Sequence, residues 1–135
     1  MFVGVLAVKR ASAHQDEIGS VVVTHPYVQP AQAGGDTIAR LRIENQGVST
    51  RQFLGMHTDV AAGSRIEIRV SPVQAVPIGS LAIRAGETLD LEESAWIRLT
   101  GLRRNLMFGE TVEACLDFAD GREKRVTVTV GNFEI

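Results

Sequence analysis

Trp96 and Arg98 stand two positions apart in the otherwise apolar stretch ESAWIRLTGL, and with Arg69 they are the residues best suited to recognition chemistry. An indole face attracts a guanidinium, and Trp and Arg are enriched where proteins bind their partners. Two readings of the trio stand open. In one, an arginine stacks on Trp96 and ties neighbouring loops together. In the other, Arg69, Trp96 and Arg98 form a recognition patch for a protein partner or a small anion.

Soft-metal binding is the second chemistry to weigh, and Met56-His57 is the adjacent pair of thioether and imidazole donors. Successive strand residues point to opposite faces, so the two do not readily hold one ion together. Met56 is expected in packing and His57 at the surface, and nothing in the spacing brings His25 to them. Cys115, the single cysteine, excludes an internal disulfide. With no His or second Cys near it in sequence, it reads as a small structural residue. His14 would offer an amine and an imidazole to Cu(II) if cleavage after Ala13 made it the first residue. The sequence contains no nucleophile elbow, no H-E-x-x-H, no phosphate-cradling glycine loop and no Asp/His pairing of the triad kind, so enzymatic activity is not expected.

The elements that must position these residues are short. Residues 92–102 alternate, with Ile97 and Leu99 on one face and Trp96, Arg98 and Thr100 on the other. Further strands are expected over 20–28, 37–45, 52–57, 65–70, 81–84, 88–91, 111–118 and 124–130. Pro26 and Pro30 keep the first at an edge or let it change sheets. Residues 59–64 read as a loop or a single helical turn, and Pro72 and Pro77 bracket an irregular link over 70–80. Leu102, Leu106 and Met107 are expected to tuck inward from the loop over 101–109. Asp120-Gly121 is a strong two-residue hairpin signal between the last two strands. No long stretch sustains a helical period, and about seven to nine strands separated by turns predict an all-β fold, an antiparallel β-sandwich of Greek-key type.

Composition is consistent with one domain. The chain has 135 residues, 44% of them hydrophobic, enough for a core without metal or disulfide. Fourteen basic and 16 acidic residues give a net charge of -2 without long runs, which removes the electrostatic case for nucleic acid or an anionic membrane. Residues 1–19 read as a signal-peptide remnant or an additional N-terminal strand, with the domain over 20–135. MFVGVLAV is apolar and Ala11-Ser12-Ala13 has the form of a cleavage site, while Lys9 and Arg10 follow the apolar run instead of preceding it. That run is too short to span a bilayer, which needs roughly 20 residues.

The order of several segments resembles a known family. IENQG at 43–47, FLGMHTDVAAGSRIEIR, LAIRAGETLDL, LTGL at 99–102 and GETVEACLDFADGREKRVTVTV are similar to the periplasmic copper chaperones of the PCu(A)C family. The resemblance implies a cupredoxin-like β-sandwich in the bacterial envelope that binds Cu(I) and passes it to the copper centre of the respiratory oxidase. It further implies ligands at a His ending an I-E-I-like strand, a downstream Met, and a His-x-Met pair before the L-x-G-L loop. Here the first position falls on Arg69 and the pair on Trp96 and Arg98, and residues 70–80 contain no methionine. Arginine is always protonated and has no acceptor, and indole nitrogen offers no usable lone pair. No cofactor is therefore expected at the family's site, and copper is expected only through non-standard ligands. The expected function is copper handling with a degenerate Cu(I) site, or alternatively a metal-free envelope scaffold using the Trp/Arg patch. Either would have a protein partner in the envelope and no membrane span.

Overall fold

The computed structural model describes residues 20–131. The N-terminal segment over 1–19, including His14, lies outside the described residues. Ten strands follow in order: β1 (Val21–Val28), β2 (Thr37–Asn45), β3 (Arg51–His57), β4 (Ala61–Ser71), β5 (Gln74–Ile78), β6 (Leu81–Ile83), β7 (Thr88–Leu91), β8 (Ala95–Leu102), β9 (Thr111–Phe118) and β10 (Glu123–Val130). β2 shows why such segments become strands. Ala39, Leu41 and Ile43 are fully buried, while Arg40 and Arg42 between them reach the other face, the two-residue period of a half-buried strand.

Hydrogen bonding links the strands in the order β5-β4-β8-β2-β1-β10-β9-β3-β6, with β7 on the far part of the edge of β2 that β8 occupies near its start. β3 and β4 lie near opposite ends of this path, yet only residues 58–60 join them. The sheet must therefore close over on itself into two layers. Leu41, Ile43, Ile66 and Ile97 from one layer and Phe53, Leu116, Phe118 and Val128 from the other form a single core cluster. The Phe53 and Phe118 rings meet at 5.7 Å.

All pairings are antiparallel except that of β1 with β10, where Tyr27 and Val28 run parallel to Thr129 and Val130. The described residues are thus the all-β, cupredoxin-like sandwich expected, with first and last strands side by side. β1 carries a register irregularity between Thr24 and Tyr27, and His25 there has φ of 52°. Pro26 falls within it, where no ladder donor is needed.

Four local expectations are corrected. The link over 70–80 contains a strand, β5, paired with β4 through Ser71↔Gln74 and Ile66↔Ile78. Pro77 is tolerated because β5 is the edge of the sheet. Residues 61–64 are not a loop but the start of β4, paired with β8 from Ala61↔Leu102. Leu102 and Leu106 are buried, but Met107 is 60% exposed. The hairpin at Asp120-Gly121 forms, with Gly121 at φ of 83° and Asp117 opposite Glu123, but the expected two-residue turn is corrected: Gly121 N–H donates to the Phe118 carbonyl, so Ala119 and Asp120 are the central residues and Gly121 follows them.

Candidate functional site

β8 lies between β4 and β2, and this neighbourhood decides what surrounds Trp96. The register sets Glu67 directly across from Trp96 and Arg65 across from Arg98. Side chains two apart share a face, so Arg65, Glu67 and Arg69 of β4 stand beside Trp96 and Arg98 of β8. On the other flank Ile38 pairs with Arg98, which brings Arg40 of β2 alongside.

At the centre is Glu67, whose side chain is only 8% exposed. One carboxylate oxygen accepts the indole N–H of Trp96 at 2.8 Å and the Nε–H of Arg98 at 3.0 Å; the other accepts Nε–H of Arg65 at 2.7 Å. Burial by itself raises the Glu67 pKa, but the hydrogen bonds from Arg65, Trp96 and Arg98 and the positive charge of Arg98 outweigh it, holding the carboxyl below its ordinary value of 4.5. The guanidinium of Arg69 lies 5.1 Å from the Trp96 ring centre and that of Arg40 lies 5.4 Å from it. Arg40 is itself held by the Glu92 carbonyl oxygen at 2.6 Å. Cation–π contacts of this kind contribute about 0.5–1 kcal/mol when exposed and about 2 when desolvated.

Trp96 therefore sits on the face opposite Ile97 and Leu99, yet it is not an outward surface residue: it is 5% exposed. Arginines and the Glu67 carboxylate cover it. Arg69, Trp96 and Arg98 are brought together, and Glu67 joins them although its chemistry was not singled out in the sequence. A signal for it existed, since an acid between two arginines on one strand, facing a Trp-x-Arg strand, has two cations and an indole N–H to satisfy it. Finding it required knowing that β4 pairs with β8.

A Cu(I) ion does not fit this arrangement. Arg40, Arg65, Arg69 and Arg98 are permanent cations without lone pairs, and the indole nitrogen is a donor. Glu67 presents oxygen, a hard ligand, already directed at three N–H groups.

Met56 and His57 are separated by the strand. β3 has a register irregularity between Phe53 and Gly55, and Gly55 takes φ of 134°. Beyond it Met56 pairs with Leu116 inside the core, 3% exposed, and His57 pairs with Cys115 on the outer face. His57 Nδ1 lies 2.8 Å from an Asp117 carboxylate oxygen. This hydrogen bond raises the His57 pKa above its ordinary value, against a smaller lowering by burial. Cys115 is half-buried, and burial followed by the charges of Glu123 and Asp117 pushes its thiol pKa up. His57, Cys115 and Glu123 offer ligand atoms all within 4.8 Å of one another, a group that includes neither Met56 nor His25. Sequence distance concealed it, because it depends on the pairing of β3 with β9.

Comparison with solved structures places this architecture. The copper-bound PCuAC domain from PmoF2 superposes with a TM-score of 0.72 at 12% identity, covering 84% of this chain and 94% of that domain. The Cu(I) form of DR1885 from Deinococcus radiodurans matches at 0.64 with 25% identity, covering 92% and 87%. Its apo form matches at 0.61 with 28% identity, covering 85% and 81%. Among curated proteins no relative matches. The fold is that of the PCuAC copper-chaperone domains. Residues 21–130 match the LpqE-like lipoprotein family, and the chain belongs to it.

Proposed function

We propose that this protein is an exported domain serving the copper-handling process of its PCuAC-type relatives, the supply of copper to a respiratory oxidase, without holding Cu(I) at the family's position. The fold, the family and the likeness to a Cu(I)-bearing domain of Deinococcus radiodurans support the process. The observation that carries the second half is the Glu67 carboxylate, taken by the indole N–H of Trp96 and by two arginines where soft donors would be needed.

The proposed role is carried by contact with a protein partner. The exposed parts of Arg65 and Arg98, whose side chains are 47% and 29% exposed, present cationic hydrogen-bond donors at this surface. That observation also favours a second reading, a metal-free scaffold that uses the Trp/Arg patch for recognition alone. Export to the envelope rests on the lipoprotein family. Among the described residues no helix is long and apolar enough to cross a membrane.

Trp96 is the single tryptophan and reports on its own site. Titration of the full chain with Cu(I) under anaerobic conditions is expected to leave its emission maximum and intensity unchanged. Stoichiometric quenching that disappears in Glu67→Gln and Arg98→Ala variants would show copper at the cluster and overturn the proposal. The two readings separate in the process they serve: deletion of the gene is expected to lower oxidase copper content, and unchanged content favours the scaffold.

A further inference from the structure

On the opposite layer, β3, β9 and β10 bring three different metal-ligating side chains to one outer face. His57 is directly opposite Cys115, and the β9–β10 hairpin sets Arg125 opposite Cys115 and Glu123 opposite Asp117. Cys115, Asp117 and Glu123 therefore share a face with His57, as two-residue alternation requires. Their imidazole, thiol and carboxylate ligand atoms already lie within 4.8 Å of one another. Zinc–ligand bonds of about 2.0–2.3 Å need donors somewhat closer than that, a change within reach of side-chain rotation alone.

Beside this group is a cleft of about 160 Å³ lined in part by His57, Asp59, Glu113, Cys115 and Arg125. The carboxylates of Asp59, Glu113, Asp117 and Glu123 give the neighbourhood a net negative character against the Arg125 guanidinium. Asp117 adds a feature that ligating histidines share: it holds His57 Nδ1 at 2.8 Å, which fixes the ring and leaves Nε2 as the nitrogen for a metal.

We propose that His57, Cys115 and Glu123 form a surface site for one divalent cation of the zinc class, with Asp117 orienting His57 and water completing the coordination. One imidazole, one thiolate and one carboxylate make a donor set of intermediate softness, which zinc accepts in tetrahedral geometry with an open position. The site shares no strand with the Trp96 cluster and does not depend on the functional reading given above.

The test uses the full chain, reduced and metal-free, titrated with zinc sulfate against a chromophoric zinc indicator and separately with cobalt chloride. One zinc per chain is expected, and cobalt is expected to give a thiolate-to-metal charge-transfer band in the near ultraviolet together with tetrahedral visible bands. Cys115→Ser should abolish the charge-transfer band. His57→Ala and Glu123→Gln should each weaken zinc binding about tenfold or more, and Asp117→Asn by about tenfold. Glu93→Gln, exposed on a distant turn, should leave binding unchanged. Absence of the charge-transfer band in the unsubstituted protein would overturn the site whatever the variants do. So would zinc affinity that survives in the His57→Ala/Cys115→Ser double variant.

Discussion

Glu67→Gln tests whether the buried carboxylate organises the Trp96 cluster. Glutamine has nearly the same shape, and its carbonyl oxygen can replace the oxygen that accepts Trp96 at 2.8 Å and Arg98 at 3.0 Å. Its amide nitrogen then faces the Nε–H of Arg65, donor against donor. Arg65 is half exposed and can turn to water, so that loss is small, about 0–1 kcal/mol. The Trp96 bond changes from charge-assisted to neutral, falling from about 1.5–3 to about 0.5–1.5 kcal/mol, while the Arg98 bond keeps its cationic donor but loses the opposite charge it faced. Removal of a desolvated charge offsets part of this. The net expectation is a loss of about 2 kcal/mol. For a domain of this size that corresponds to a melting temperature lower by roughly 6–10 °C. Urea unfolding followed by Trp96 emission gives the free energy, and far-ultraviolet dichroism gives the melting point. A variant within 0.5 kcal/mol of the parent, or more stable than it, would refute the reasoning, because it would mean that desolvation cancels the whole network.

Further outcomes follow from the same geometry. The Glu67 carboxyl is held below its ordinary value of 4.5, so its contribution is complete above that pH and is lost as pH falls through the lower folded-state value. The stability gap between the parent and Glu67→Gln should accordingly shrink on acidification below 4.5, and a gap that stays constant contradicts the assignment. Trp96→Phe keeps a ring face for Arg40 and Arg69 but removes the N–H donor; a loss of about 1–2 kcal/mol is expected, with clear coupling to Glu67→Gln in a double-mutant cycle. Phe53→Ala removes a fully buried ring packed on Phe118 and should cost about 3–5 kcal/mol by denaturant unfolding, without altering the Trp96 emission of the folded state.

Much of the fold was legible because alternation is a local property. β2, β7 and β9 occupy the residues expected from their patterns, and the Asp120-Gly121 turn fixes the β9–β10 register by its own backbone demands. β5 was illegible because Pro72 and Pro77 look like breakers until β5 is known to be an edge strand, where a missing N–H costs nothing in the ladder. Trp96 was placed on the correct face, but its burial could not be read from β8 alone. It depends on Arg40 from β2 and on Arg69 and Glu67 from β4. The same limit hid the neighbours of Cys115, since His57 reaches it only through the pairing of β3 with β9. Long-range register, set by the closure of the sheet, turned isolated residue types into two clusters of different chemistry.

The proposed replacement of soft-metal coordination by the Glu67-Trp96-arginine cluster concerns the family's copper position. Its most direct test is a Cu(I) competition titration against a chromophoric chelator, using the full chain with His57→Ala and Cys115→Ser to remove the imidazole and thiol donors of the opposite layer. No competition by this variant is expected at any chelator concentration that the copper-bearing relatives withstand. Stoichiometric withdrawal of Cu(I) from the chelator, lost on further substitution of Trp96, Arg98 or Glu67, would contradict it.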